Sequence, residues 1–544
     1  MSTNLLDRVE ELLEQCGASE HYAVSVPRSP SSADLFLIPT NGRGTRIDGR
    51  RDLRGSLSEL GTIEAVRGAD GERTSVRVWD PVLEDAGARL ENGDDRTLRR
   101  ADPKAPPHVV IDFCNPNATK ALHIGHLRNI SIGNSLARLF EAGGAMVVTH
   151  SHIGDIGRSM GEALAGYLLL RDARANGAKS DHMIGRCYSE YVRMQATPTA
   201  VVDPALTREG QLQDDLPEQL LAKVRDGDID VRAIWRNVRG FVTDGHDHTL
   251  ARMGVSIDLL FFESDYIRSY DEFAGRAESL GLAVRTEDGA LIHETGYPEQ
   301  PHLMLRRPDD FPTQYLRFLS IWEAKRLGEA FSVEVIGDEW EPLARFGPDL
   351  TTRLDADQPV HPSHFLTHGM VNLDGDAIAS STGGGLLADD LLDELESDPR
   401  LVALAQSNDR IDISRLTALV AMGWFLGRDV QKPMRFREGC LTDLGENPGW
   451  AVAAALTDAW RPEYDARAGC RDRSAYRFAV VRSELHVRMA SLAREKLSPP
   501  VLMRLHGHLA RWYLSAWEDP ALARVVRTVL GEGVRSLGLP PPVA

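Results

Sequence analysis

Apolar residues recur along this chain with two different periods, and the changes of period divide it into three regions. From residue 1 to about 105, the opening MSTNLLDRVEELLEQ spaces its apolar residues for one face of a helix, and the short runs YAVSV, LFLI and SVRVW predict strands. Turn-rich stretches such as NGRGTRIDGRRDLRG separate these strands, so 1–105 reads as an additional α+β domain. From about 106 to 404 the apolar runs HVVIDF, AMVVTH and FSVEVI alternate with helical patterns, which predicts a Rossmann-type α/β domain with a parallel sheet. A helical insertion with charged faces is expected within it at about 195–260. From about 405 to 544, ISRLTALVAMGWFLG, AVAAALTDAW, YRFAVVRSELHVRMASLAR and VLMRLHGHLARWYLSAW keep helical spacing, so an all-α bundle without strands is expected.

Composition narrows the function classes. The 544 residues are 42% hydrophobic and 26% charged, an ordinary globular balance that excludes wholesale disorder. No apolar run approaches the roughly 20 residues of a membrane span, and the N-terminus shows no basic or apolar targeting region, so a cytoplasmic protein is expected. Cys16, Cys114, Cys187, Cys440 and Cys470 are far apart and form no CxxC, which argues against a disulfide scaffold or zinc knuckle. A formal charge of -18 repels phosphate at long range, leaving only local basic patches to hold an RNA. Arginine is the default cation: only seven of the 62 basic residues are lysines, so a lysine beside a motif stands out.

The stretch that carries chemistry is HVVIDFCNPNATKALHIGHLRNISIGNSLARLFEAGG, residues 108–144. A strand from Val109 to Phe113 enters a loop containing Asn115, Pro116 and Asn117, and a helix follows, ending at Gly143 and Gly144. At the junction stands His123-Ile124-Gly125-His126, two imidazoles on one face near a helix N-terminus, where free N–H groups favour an anion. Lys120 precedes them by three residues. An isolated His-x-x-His is more often structural, and a metal reading would need a third ligand such as His150 or His152; no metal site is assigned.

IDFCNPNATKALHIGHLRN resembles the first signature of class I aminoacyl-tRNA synthetases, and specifically of arginyl-tRNA synthetase. HIGDIGRSMG (152–161), AIWRNVRGFVTDGHDHTLARMGVSIDLLFFESDY (233–266), VEVIGDEW (333–340) and HGMVNLDGDAIASSTGGGLLADDLLDE (368–394) follow in that family's order. The resemblance implies a class I catalytic domain, an anticodon-binding-like bundle and a two-step reaction, in which ATP and an amino acid form an aminoacyl adenylate that is passed to tRNA. It implies that His123, His126 and Lys120 are catalytic, that Gly125, Gly337, Glu339, Ser380, Ser381 and Thr382 bind ATP, and that Mg²⁺ accompanies the nucleotide. Asp112, Asn115, Asn117, Gln314, Tyr315 and Phe318 would form the amino-acid site, Trp450 would contact tRNA, and the protein would act as a monomer.

Four departures from the family are legible. The second signature loop lacks both lysines and reads Ile378 to Gly384, so Lys120 would meet the pyrophosphate charge instead. In Pro312-Thr313-Gln314-Tyr315-Leu316-Arg317-Phe318, Gln314 and Phe318 stand at the positions of the family's tyrosine and guanidinium-binding aspartate. The Asn447-Pro448 helix carries alanines in place of polar RNA-facing residues, and Trp340 replaces a histidine after Gly337-Asp338-Glu339. Arginine therefore needs Asp112, Glu339 or another acid as its partner. The alternatives are a paralogue that activates a non-arginine amino acid for amide or peptide bond formation, and a non-catalytic tRNA-binding relic.

Overall fold

The protein is described from a computed structural model over residues 5–543, except 17, 19–21, 27–32, 40–50, 69–70, 94–104, 175–177, 197–215, 326–329, 355–362, 374–375, 378–385, 438, 466–472 and 516–518. Its centre is a five-stranded sheet in the spatial order Ser363–His368, Phe331–Gly337, His108–Asp112, Met146–Ile153, Leu259–Phe262, parallel throughout. The inner strands are continuous apolar runs, as burial on both faces requires: Val109, Ile111, Val333 and Val335 are all in the core. The strand order reverses direction between His108–Asp112 and Phe331–Gly337. Chain leaving neighbouring strands to opposite sides opens a crevice at their carboxyl ends.

The helix Ile124–Ala142 packs against the first strand of this sheet so closely that a Cβ on Gly133 would lie 2.3 Å from Phe113. Arg128 on the same helix is fully buried. It donates to the carbonyls of Gly369 at 2.7 Å, Asp429 at 3.0 Å, Val430 at 2.8 Å and Lys432 at 2.7 Å, joining the sheet to the helical region. Helices Arg158–Arg174, Ser180–Ala196, Leu216–Asp226 and Ile229–Arg252 form a layer with its own apolar core between the second and third strands.

The C-terminal helices Ile413–Phe425, Pro448–Ala459, Arg473–Glu495, Pro500–Ser515 and Pro520–Ser536 pack as expected from their spacing. The expectation of no strand beyond 405 needs correction. Met434–Phe436 pairs in parallel with Val371–Leu373. Three residues are too few to show a period, and the partner lies in another region of the chain, so pairing alone creates this strand.

At the N-terminus, Tyr22–Ser25, Leu35–Pro39, Gly71–Val78 and Gly61–Gly68 form an antiparallel sheet in that order. It is anchored to the C-terminal helices through Arg477, whose Nε lies 3.2 Å from Asp34 Oδ1, and the helix Asp80–Glu91 that follows it is held by Arg524, 2.9 Å from Glu91.

Candidate active site

A cavity of about 770 Å³ opens at the carboxyl ends of the sheet strands. The strand His108–Asp112 ends in Cys114 and Asn115, whose φ angles of 78° and 43° place two consecutive side-chain-bearing residues in the left-handed region. Such a turn costs on the order of 1–3 kcal/mol per residue and persists only where surroundings enforce it. Here they do. Asn129 Oδ1 accepts from the Cys114 amide at 2.6 Å, Asn115 Nδ2 donates to Asp112 Oδ1 at 2.7 Å, and Asn115 Oδ1 accepts from the His152 amide at 2.7 Å. The strained turn presents Asn115 and Asn117 to the cavity.

His123 caps the helix Ile124–Ala142 reciprocally with His126. His123 Nδ1 accepts from the Gly125 amide at 3.2 Å, and His126 Nδ1 accepts from the His123 amide at 3.1 Å. A nitrogen that accepts carries no proton, so this pattern assigns the neutral tautomer with Nε2–H as the donor of each ring. Burial, helped by the charge of Lys120, pushes His123 down to about 4. Burial and the neighbouring His123 push His126 well below its ordinary value. Both rings are therefore neutral donors near pH 7, and the positive charge at this wall comes from Lys120 and the helix N-terminus. Lys120 lines the cavity, with its carbonyl held by His246 Nε2 at 2.9 Å.

The opposite wall comes from the helix Gln314–Ala324 and the turn Glu263–Tyr266. Glu263 is buried, with Oε1 3.0 Å from Arg317 Nε and 3.2 Å from His152 Nε2. The Arg317 contact is an ion pair by distance whose N–H points off the line, while Nη1 of the same residue donates to the Pro312 carbonyl at 2.8 Å. Burial raises the Glu263 carboxyl, but the Arg317 charge and His152 outweigh it and leave the group below its ordinary value, hence ionised. Phe318 lies between His152 and Trp340, with ring centres 5.4 and 5.8 Å away.

Beneath the cavity, Lys325 Nζ lies 2.5 Å from Asp112 Oδ2 and 3.0 Å from Glu334 Oε2, all three buried. One ammonium serves two carboxylates. Burial pushes Glu334 up to about 8 against the pull of Lys325, whereas Asp112, equally buried, is held below its ordinary value by the Lys325 charge.

The family description "tRNA synthetases class I (R), catalytic domain" matches residues 94–308. The arginine–tRNA ligase of Bacteroides thetaiotaomicron is 27% identical over 423 residues, covering 73% of this chain and 68% of that protein. The arginyl-tRNA synthetase structure of Thermus thermophilus superposes with a TM-score of 0.70 at 19% identity, covering 98% of both chains, and that of Plasmodium falciparum with 0.65 at 12%, covering 98% of this chain and 97% of that one. The chain is arginyl-tRNA synthetase-like. It carries the catalytic domain of a class I aminoacyl-tRNA ligase.

In this arginyl-tRNA synthetase-like protein, His123, His126, Lys120, Gly125, Asn115, Asn117, Gly337, Glu339, Gln314, Tyr315 and Phe318 share the one cavity. Asp112 is not on its wall: it sits behind Asn115, positioning it. Ser380, Ser381 and Thr382 lie outside the described residues. The chain that follows them is nevertheless tied to the histidine segment, since the Ile124 amide donates to Leu386 and the Ala388 amide to Leu122. Trp450 is not among the residues that line the cavity and is half-buried against the helical core. The alanines beside it serve helix packing: Ala451, Ala455 and Ala459 are buried, and a Cβ on Gly423 would lie 2.4 Å from Gly449. Sequence reasoning missed Glu263, Arg317 and Lys325. The rarity of lysine was a usable signal for Lys325, and nothing local marked the other two.

Proposed function

We propose that the protein forms an aminoacyl adenylate from ATP and an amino acid and transfers the aminoacyl group to tRNA, the reaction type of the arginine–tRNA ligases it is similar to. The amino-acid carboxylate attacks the α-phosphorus, the bond to the β-phosphate oxygen breaks, and pyrophosphate leaves. The tRNA ribose hydroxyl then attacks the acyl carbon and AMP leaves. One observation carries this reading: two neutral histidine donors, a lysine and a helix N-terminus face one cavity at the reversal point of a parallel sheet. Donors held before charge develops on the phosphates lower the barrier without reorganising. The strained Asn115 turn holds the amino-acid head in line with that phosphate.

Mg²⁺ belongs to this proposal as a companion of the triphosphate. The donors around His123 are N–H groups, which suit phosphate oxygens and not a bare cation. Trp450 and nearby arginines of the bundle are the proposed tRNA contacts, through stacking and phosphate pairing. No helix among the described residues is long and apolar enough to cross a membrane; action in the cytoplasm as a monomer completes the proposal. Amino-acid-dependent ATP–pyrophosphate exchange in the presence of total tRNA, followed by charging of that tRNA, is the test. Exchange without tRNA charging would favour the paralogue that hands its acyl group to a small amine. The absence of exchange with every amino acid would leave only a non-catalytic relic.

A further inference from the structure

Lys120 and His123 are three residues apart in the chain, yet different parts of the fold hold them. Lys120 is held by the helical insertion. His246 Nε2 of the helix Ile229–Arg252 donates to its carbonyl at 2.9 Å, and the helix Ser180–Ala196 runs so close that a Cβ on Gly185 would lie 3.3 Å from the Lys120 Cβ. His123 is held from the other side by residues 386–388. The Ile124 amide donates to the Leu386 carbonyl at 3.0 Å, the Ala388 amide donates to the Leu122 carbonyl at 2.9 Å, and Leu387 pairs with His123 between them. Asp389, the next residue, is buried and turns back to the insertion. Its Oδ2 accepts from Lys179 Nζ at 2.7 Å and from Thr249 Oγ1 at 2.9 Å and lies 3.1 Å from His182 Nε2, while its Oδ1 accepts from Arg252 Nη1 at 3.1 Å. His246, Thr249 and Arg252 follow one another at helical spacing of three, so one stripe of the insertion helix grips both Lys120 and Asp389.

Asp181, His182 and Asp389 bring their ligand atoms within 4.8 Å of one another, a grouping of the kind that can hold a metal ion. Lys179 occupies it. Its ammonium donates to Asp181 Oδ2 at 3.1 Å, Thr249 Oγ1 at 2.6 Å and Asp389 Oδ2 at 2.7 Å, which uses all three of its N–H groups. The cluster is a closed mechanical joint, made of charge-assisted bonds withdrawn from water.

We propose that Asp389 is a positioning residue for adenylate formation, the third side of a triangle that sets Lys120 against His123 and His126. The inference rests on the adenylate-forming reading above and deepens it. The other two sides are the His246 bond to Lys120 and the pairing of residues 386–388 with the His123 turn. With one side broken, Lys120 and the histidines are related only through the short loop between them. Misplacement of such groups by about 1 Å costs on the order of 10²-fold in rate. The amino-acid end does not share this frame, since Asn115 is fixed by Asp112 and His152, and Glu263 by Arg317.

The test is ATP–pyrophosphate exchange by the full chain, with total tRNA present and the amino acid that drives the wild type best. Asp389→Asn keeps the shape of the side chain and removes its charge, and it leaves Lys179 paired with Asp181 and Arg252 with Asp393 and Glu396. Its kcat should fall about tenfold or more and its KM for ATP should rise, with the amino-acid KM within about twofold of wild type. His246→Phe should do the same. The double variant should be little worse than the weaker single one, because a triangle is already loose once one side is gone. An unchanged kcat, an amino-acid KM that rises in step with that for ATP, or losses that multiply in the double variant would each overturn the proposal and leave adenylate formation standing. If Asp389→Asn does not fold, Thr249→Val, which removes one donor to Asp389 and no charge, decides by the same split at a smaller size. Silence of the wild type with every amino acid would instead overturn adenylate formation, and this inference with it.

Discussion

The two ends of the cavity handle charge in opposite ways. At the nucleotide end, His123 and His126 use one nitrogen each to cap a helix and keep the other as a donor toward open space. At the side-chain end, Glu263 and Arg317 close on each other, and His152 joins them. The first arrangement is an unmet demand for an anion and the second an electrical circuit nearly complete. A site is matched to its ligand by the valences that its own fold leaves open, and among the described residues the nucleotide end presents open donors.

That contrast can be broken or sharpened by substitution. The largest effect is expected beneath both ends, where Lys325→Met strips two buried carboxylates of their shared cation. Losing one partner of such a group costs about 3–5 kcal/mol, to be read by denaturant unfolding. A loss well under 1 kcal/mol would mean that Asp112 and Glu334 relax freely without their shared cation. Next, His126→Ala should lower exchange by about 10²–10³ in kcat with little change in the amino-acid KM, because its donor acts on developing phosphate charge. Were KM for the amino acid to rise instead, the division of the cavity into two ends would fail.

Proton linkage offers a third check. His486 and His506 are buried in the helical region with Nδ1 and Nε2 2.9 Å apart, and burial pushes His506 down to about 4 and His486 well below its ordinary value. A folded-state pKa below the unfolded value means that the unfolded chain binds the extra proton. Stability contributed by the neutral pair is thus complete above about 6.5 and is lost as pH falls toward 4, by about 1.4 kcal/mol per pH unit for each ring. Thermal melts from pH 7 to 4 should show it, and replacing both histidines by apolar residues should flatten the slope. His123, equally depressed, should remain a neutral donor over most of that window. Smaller still, Asn115→Gly keeps the left-handed turn but removes the amide bridge between Asp112 and His152. It should raise the amino-acid KM about tenfold, an effect near 1.4 kcal/mol. Least of all, Trp450→Ala should raise the tRNA KM by a few-fold while leaving exchange intact.

Much of the nucleotide end was legible residue by residue. The strand–loop–helix reading of 108–144 needed only apolar runs, a Pro-containing loop and two terminal glycines, all local signals. Lys120 stood out because lysine is scarce, and it does line the cavity. The side-chain end was legible only as a loss. The replacement of an acid by Phe318 was visible, but not that Arg317, one residue earlier, turns to Glu263. Asp112 was placed in the amino-acid site, and the fold sets it one layer behind, because its oxygens are claimed by Asn115 and by Lys325 from 213 residues away.

What the chain determines by order alone is whatever backbone hydrogen bonding settles within a few residues: the helix capped by its own histidines, the turn between strand and helix, the alternation that builds a parallel sheet. Which acid meets which cation was decided only when distant elements packed. Withdrawal from water multiplies the strength of each pairing and makes an unpaired charge intolerable, so the partners are chosen by proximity in space.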